Sequence, residues 1–194
     1  MVLPNATLFP HTLLPLYIFE QRYRAMLTWT LERHRLFCVA LMKPGVNEAA
    51  SPGDFHQIAG LGLVRACVEQ ADGTSHLVLQ GLARVRFTGY AQEAPFRVAE
   101  ITQLPPEASD ADEAKDLASH VVELCSAQRA KGIELPEAVE QQLAKLSDPE
   151  VLGDVVAQSF LHDPQRRQEI LEQRTIGNRL RLLIHHLNAE MGSP

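Results

Sequence analysis

The residues best suited to metal or nucleophilic chemistry in this 194-residue chain are eight histidines and three cysteines, and their spacing builds no site. His185 and His186 are neighbours on an expected helix, so their rings point about 100° apart and cannot chelate one metal together. Neither H-E-x-x-H nor C-x-x-C occurs. Cys125 falls on an apolar stripe without a histidine three or four residues away, which favours a core thiol over a nucleophile. His162 precedes Asp163-Pro164 and marks a helix boundary. Asp110, Asp112, Glu113 and Asp116 crowd the start of a helix, where negative charge suits the macrodipole, and lack the spacing of a cation loop. Gly60-x-Gly62 has no third glycine and continues into a strand, which excludes a dinucleotide fingerprint. No G-x-x-x-x-G-K-[ST] or G-x-S-x-G appears, and Lys43-Pro44-Gly45 cannot cradle phosphates because proline removes an amide donor. No catalytic residue, metal ligand or cofactor is expected.

Arg84 and Arg86 are the most informative polar pair. Strand alternation puts both on one sheet face, opposite Val85 and Phe87. That face is either a solvated exterior or a basic ledge for carboxylates and the backbone of a bound polypeptide.

The elements that would carry these residues change character along the chain. In the first half, Leu36 to Met42, Ile58 to Val68, Leu77 to Phe87 and Phe96 to Ile101 read as strands. Asp72-Gly73 marks a hairpin between the second and third. Gly60, Gly62 and Gly81 within these strands signal bulges or close backbone approach. Short strands joined by tight turns argue for a small barrel or rolled sheet. One helix interrupts them: after Pro10 and Pro15, Phe19, Tyr23, Met26, Leu27 and Leu31 form an apolar stripe, with Glu20 and Arg24 at i,i+4. Tyr17, Phe19, Tyr23 and Met26 are expected to be structural, covering an open end or side of the barrel.

Pro105-Pro106 lies in the only strong linker. Beyond it the spacing becomes helical, with Ser109 a plausible N-cap and Leu117, Val121, Leu124 and Cys125 on one stripe. Pro136 is expected to open a further helix carrying Val139, Leu143 and Leu146. Asp148-Pro149 and Asp163-Pro164 repeat an acidic cap followed by proline. The last helix, from about Thr175, carries Ile176, Leu180, Leu183, Ile184, Leu187 and Met191 on one face. The expected fold is α+β, with a small β-barrel over residues 1–104 and an α-helical bundle over 105–194.

Composition narrows the partners. The 45% hydrophobic and 22% charged fractions are those of a soluble globular protein, and no apolar run reaches the ~20 residues of a membrane span. The odd, scattered cysteines read as reduced thiols, which makes a cytoplasmic protein the default. Met1 to Leu104 carries 9 basic and 8 acidic residues, and Pro105 to Pro194 carries 9 and 16, giving the net charge of −6. An acidic chain gains little from counterion release, which counts against nucleic acid as the main partner.

Leu8 to Leu27 contains an extended run, F-P, a further L-P-L and a helix starting near an acidic residue. That order closely resembles the opening of the Lon protease N-terminal domain. Asp72-Gly73 followed by Leu77 to Phe87 resembles the family's D-G hairpin and its v-x-G-x-x-R-x-R-f strand. Leu146 to Leu187 resembles its helical part, a D-P helix followed by a leucine-rich terminal helix. Gly60-Leu61-Gly62 departs from the family's single-glycine strand, and Lys43 to Gln57 matches nothing in it. The resemblance implies a PUA-like barrel and substrate recognition without the ATPase and Ser-Lys protease modules. It implies unfolded or partly folded polypeptides, or a protease or chaperone, as partners, and leaves a homodimer open. RNA binding by a PUA-like fold and small-molecule binding in the barrel cleft are the alternatives.

Loops at barrel ends carry function, and Lys43 to Gln57 is the longest irregular segment, with Phe55 as its lone aromatic. Phe55 either tucks back onto the barrel or, with Lys43, Arg84 and Arg86, borders a groove for an extended apolar peptide.

Overall fold

The computed structural model describes residues 1–107, 109–130 and 146–191. The chain divides into two compact units, Met1–Leu104 and Pro105–Pro194.

The first unit contains β1 (Val2–Leu3), β2 (Leu13–Ile18), α1 (Gln21–Leu31), β3 (Leu36–Leu41), β4 (Ile58–Glu69), β5 (Ser75–Gln92) and β6 (Val98–Gln103). They form a six-stranded sheet in the order β1-β3-β4-β5-β2, with β6 also paired to β5. The sheet is not closed, which corrects the barrel expected from the sequence. The reason lies in β5, whose 18 residues serve two partners: Ser75 to Gln80 pair with β2, and Val85 to Gln92 pair with β6. Register shifts opposite β6, between Phe87 and Gly89 and between Tyr90 and Gln92, curl the strand.

Close approach explains the strand glycines. Leu8 and Phe9 are fully buried against the sheet. A Cβ at Gly60 would overlap the carbonyl of Leu8, and one at Gly81 would overlap that of Phe9. The expected extended run at Leu8 is therefore a core segment ahead of the strand, and pairing begins at Leu13. The Asp72-Gly73 turn is held by the Asp72 carboxylate, which accepts from Thr74 N and Oγ1 at 2.9 and 2.7 Å.

Helix α1 buries Tyr23, Met26, Leu27 and Thr30. Glu20 pairs with Arg22 at 2.9 Å, not with Arg24 at i,i+4. Phe19 precedes the helix and is 60% exposed, and Tyr17 is 49% exposed, so the structural role expected of all four aromatic and methionine residues holds only for Tyr23 and Met26.

In the second unit the described helices are α2 (Ala111–Ala130), α3 (Pro149–Phe160), α4 (Pro164–Glu172) and α5 (Ile176–Met191). Asp110 caps α2, accepting from Asp112 N and Glu113 N, in place of the expected Ser109. Asp148 and Asp163 each accept from the second amide of their helix, with proline ahead of it. Leu180, Leu183 and Leu187 of α5 are fully buried, facing a core that includes Val121, Leu152, Val156 and Ile170. Inside this core Arg179 reaches Asp154 at 3.3 Å and Glu150 at 3.5 Å. The helix expected to open at Pro136, with Val139 and Leu143, lies outside the described residues.

Candidate functional site

The open side of the sheet is a cleft. Two strand edges flank it: β1, with Val2, and β6, with Val98, Ala99 and Ile101. Helix α1 contributes Met26, Trp29 and Arg33, and β5 contributes Phe87 and Tyr90. The enclosed volume is about 270 Å³, with a predominantly apolar lining. Trp29, the only tryptophan of the chain, meets Phe96 edge-on at 5.9 Å, and the Arg33 guanidinium covers its ring at 4.3 Å. Phe55, Phe87 and Tyr90 form a cluster with centroids 6.0 to 6.5 Å apart.

The edge of β1 is occupied from within. In its parallel pairing with β3, the carbonyls of Met1 and Leu3 accept from Ala40 and Met42. The Val2 groups then point the other way, where Tyr23 Oη donates to the Val2 carbonyl at 2.8 Å and accepts from the Val2 amide at 3.2 Å. Burial raises the Tyr23 phenol above its ordinary value, against lowering by its bond to Val2. One hydroxyl thus finishes a strand edge.

The four residues expected to border a groove do not form one surface. Phe55 is 1% exposed and packs with Ala40, Met42, Ala59 and Val85, so it tucks into the fold and reaches the cleft only as part of its floor. The loop around it is anchored, because Arg97 donates to the carbonyls of Ala49 and Ala50 and Lys43 N donates to Asp54 O. Arg84 is 4% exposed, its guanidinium lying over the Phe9 ring. Arg86 and Lys43 are exposed. Alternation did place both arginines on one face, but Phe9 covers that face at Arg84 and leaves it open at Arg86.

Trp29, Arg33, Phe96 and Ile101 escaped the sequence reading. A signal existed: Trp29 lies three residues beyond Met26 on the helical stripe, with Arg33 four residues later, where cation and ring can meet. Phe96 and Ile101 reach the cleft through the curl of β5, which residue spacing does not report.

A second apolar surface lies on β2. Leu13, Tyr17 and Phe19 are exposed, and Tyr17 stacks on Phe19 and on His76 with centroids at 5.7 and 4.7 Å. Among the described residues no group of histidine, cysteine and carboxylate side chains is placed to hold a metal. His186 is bonded to Glu169 at 2.8 Å, while His185 is exposed. No helix of the described residues is long and apolar enough to cross a membrane.

The model of the family described as ATP-dependent protease La (LON) substrate-binding domain matches residues 1–189. A Lon protease of Desulfosudis oleivorans is 25% identical over 194 residues, covering 98% of this chain and 24% of the relative. That of Xanthomonas oryzae pv. oryzae is 26% identical over 195 residues, covering 98% and 23%. The chain spans about a quarter of the length of these curated relatives. The solved N-terminal domain of Mycobacterium avium complex Lon protease superposes with a TM-score of 0.72 at 21% identity, covering 97% of this chain and 96% of that one. A Lon N-terminal domain protein from Xanthomonas campestris superposes with a TM-score of 0.66 at 19% identity, over 95% of each chain.

Proposed function

The chain belongs to the LON substrate-binding domain family, matched over residues 1–189, and from that premise we propose that it is a non-catalytic module that holds exposed apolar segments of other polypeptides. The observation that carries this reading is the apolar cleft of about 270 Å³ between α1 and the edge of β6. Such a cavity buries one or two large side chains, and its aromatic walls offer contact area to many of them. Exposed Arg86 and Lys43 supply cations for the acidic residues or backbone carbonyls of a client. The net charge of −6 supports polypeptide over RNA as the ligand.

Trp29 makes the test direct, since it is the only tryptophan of the chain and lines the cleft. With casein's own tryptophan signal subtracted, reduced, carboxymethylated casein should shift that emission to shorter wavelength in a saturable manner, and Phe96→Ala should weaken binding at least fivefold. Single-stranded RNA should leave the emission unchanged at 50 and 300 mM salt. Failure of casein to bind, or RNA binding that falls steeply with salt, would discard the proposal.

A further inference from the structure

Among the described residues, β1, β2 and β6 end the pairing order of the sheet, and two of these are closed to pairing. On β1 the Tyr23 hydroxyl takes both groups of Val2. On β2 the register runs Leu13↔Gln80, Pro15↔Val78 and Tyr17↔His76, and Gly81 N donates to Thr12 O. That bond makes Thr12 and Gly81 a hydrogen-bonded position. Alternation then turns the backbone groups of Leu13, Pro15 and Tyr17 outward, where Pro15 has no amide to offer.

Strand β6 is different. Leu104 N donates to Arg84 O at 2.9 Å, and Thr102 pairs with Arg86 two residues earlier. By the same alternation the amides and carbonyls of Ile101 and Gln103 point away from β5. Among the described residues neither has a backbone partner on that side. Residues 100–103 are all exposed, and β6 contains neither proline nor lysine, its one charged side chain being Glu100 at the start of this stretch. One face of this edge is the cleft, reached by Ile101 beside Phe87. The other presents Arg86, exposed beside Thr102 and without an ionic partner among the described residues.

We propose that β6 receives its ligand as an added strand: an extended segment that bonds to Ile101 and Gln103, with apolar side chains alternating with acidic ones. Residues opposite Ile101 and Gln103 place their side chains on the cleft face and must be apolar. The residue between them faces Arg86 and is favoured as Asp or Glu. Backbone bonds supply affinity without regard to sequence, which suits a surface that takes many clients. This mode rests on the polypeptide-binding reading above and specifies its chemistry.

The probe is a fluorescein-labelled ten-residue peptide alternating valine and glutamate, with its valine–lysine counterpart and a version N-methylated at the valine amides. The acidic peptide should bind the wild-type protein and shift Trp29 emission, with the lysine and N-methylated versions each at least tenfold weaker. Gln103→Pro removes one outward amide and leaves the β5–β6 bonds in place, so it should lose at least tenfold. Gln103→Ala keeps the amide and should stay within twofold. Should Gln103→Pro melt early, the N-methylated peptide makes the same test on the wild-type protein. Casein binding that ignores both Gln103→Pro and backbone methylation would overturn the edge mode and leave the function standing. Absence of casein and peptide binding alike would overturn both. A dimer of the wild-type chain that Gln103→Pro converts to monomer, seen by sedimentation, would assign the edge to a second copy and overturn the proposal.

Discussion

Tyr23 shows how one side chain can do two structural tasks. Its ring packs in the main core with Met26, Leu27 and Phe37, and its hydroxyl closes the β1 edge. Tyr23→Phe keeps the ring and should lose about 1–2 kcal/mol, since the Val2 groups then lack a partner. Tyr23→Ala should lose about 3 kcal/mol or more, and urea denaturation separates the two. The ring was legible from helical spacing. The hydroxyl was not, because its partner lies 21 residues away and nothing local marks it. Phe55 was ambiguous for a related reason: a lone aromatic in a polar loop has no periodicity, and it becomes core only through its bridge to Met42 and packing against Ala59 and Val85, which lie elsewhere in the chain.

Two cysteines, Cys125 buried and Cys38 half-buried, give a pH dependence. Burial raises the Cys125 thiol to about 12 and the Cys38 thiol to about 11. The unfolded chain releases these protons near the ordinary thiol value of about 8.5. The folded state therefore holds protons that the unfolded state has lost, and stability falls as pH rises from about 8.5 toward 12. Urea midpoints measured between pH 8 and 10.5 should decline, and Cys125→Ala should make the decline shallower. At pH 8 the native Cys125 should be alkylated at least tenfold more slowly than in urea.

At the scale of elements, the strands and helices follow from patterns with local causes, and the departures from those patterns follow from contacts at a distance. Proline after an acidic residue starts both α3 and α4, and each cap carboxylate is bonded as its spacing demands. Asp148→Ala or Asp163→Ala should each lose about 1 kcal/mol. Gly81→Ala should cost about 3 kcal/mol or more, because the added methyl meets backbone that cannot swing away. The sequence signalled glycine-dependent approach but did not identify Leu8 and Phe9 as what approaches. Arg179 was invisible as a core residue, since arginine on a helix ordinarily faces water. It is fully buried with Asp154, so Arg179→Met should cost about 3–5 kcal/mol by leaving a buried carboxylate without its cation. A double variant, Arg179→Met with Asp154→Leu, should recover most of that loss in thermal or urea unfolding.

At the scale of the whole molecule, four of the six strands and the α+β class were legible, but β1, the pairing of β2 and the open form of the sheet were not. Closure depends on whether the last strand meets the first, and here β5 is long enough to hold β2 and β6 on different stretches. The open seam this leaves is also what creates the cleft, so the one architectural feature that spacing misjudged is the one the proposed function uses. The prediction at this scale concerns energy input. No phosphate-cradling motif or nucleophile elbow occurs in the sequence, and the family match is to a substrate-binding domain. The purified chain should therefore neither hydrolyse ATP nor cleave casein above a blank, and casein affinity should be the same with and without ATP. Salt separates the contributions further: apolar contact in the cleft is insensitive to screening, whereas the attraction of exposed Arg86 is screened beyond a Debye length, about 10 Å at 0.1 M. Raising salt from 50 to 500 mM should thus leave the affinity for casein within about threefold. A steeper loss would assign binding to charge and move it from the cleft to exposed cations such as Arg86, and ATP turnover that copurifies through three columns would place an engine in a chain whose motifs supply none.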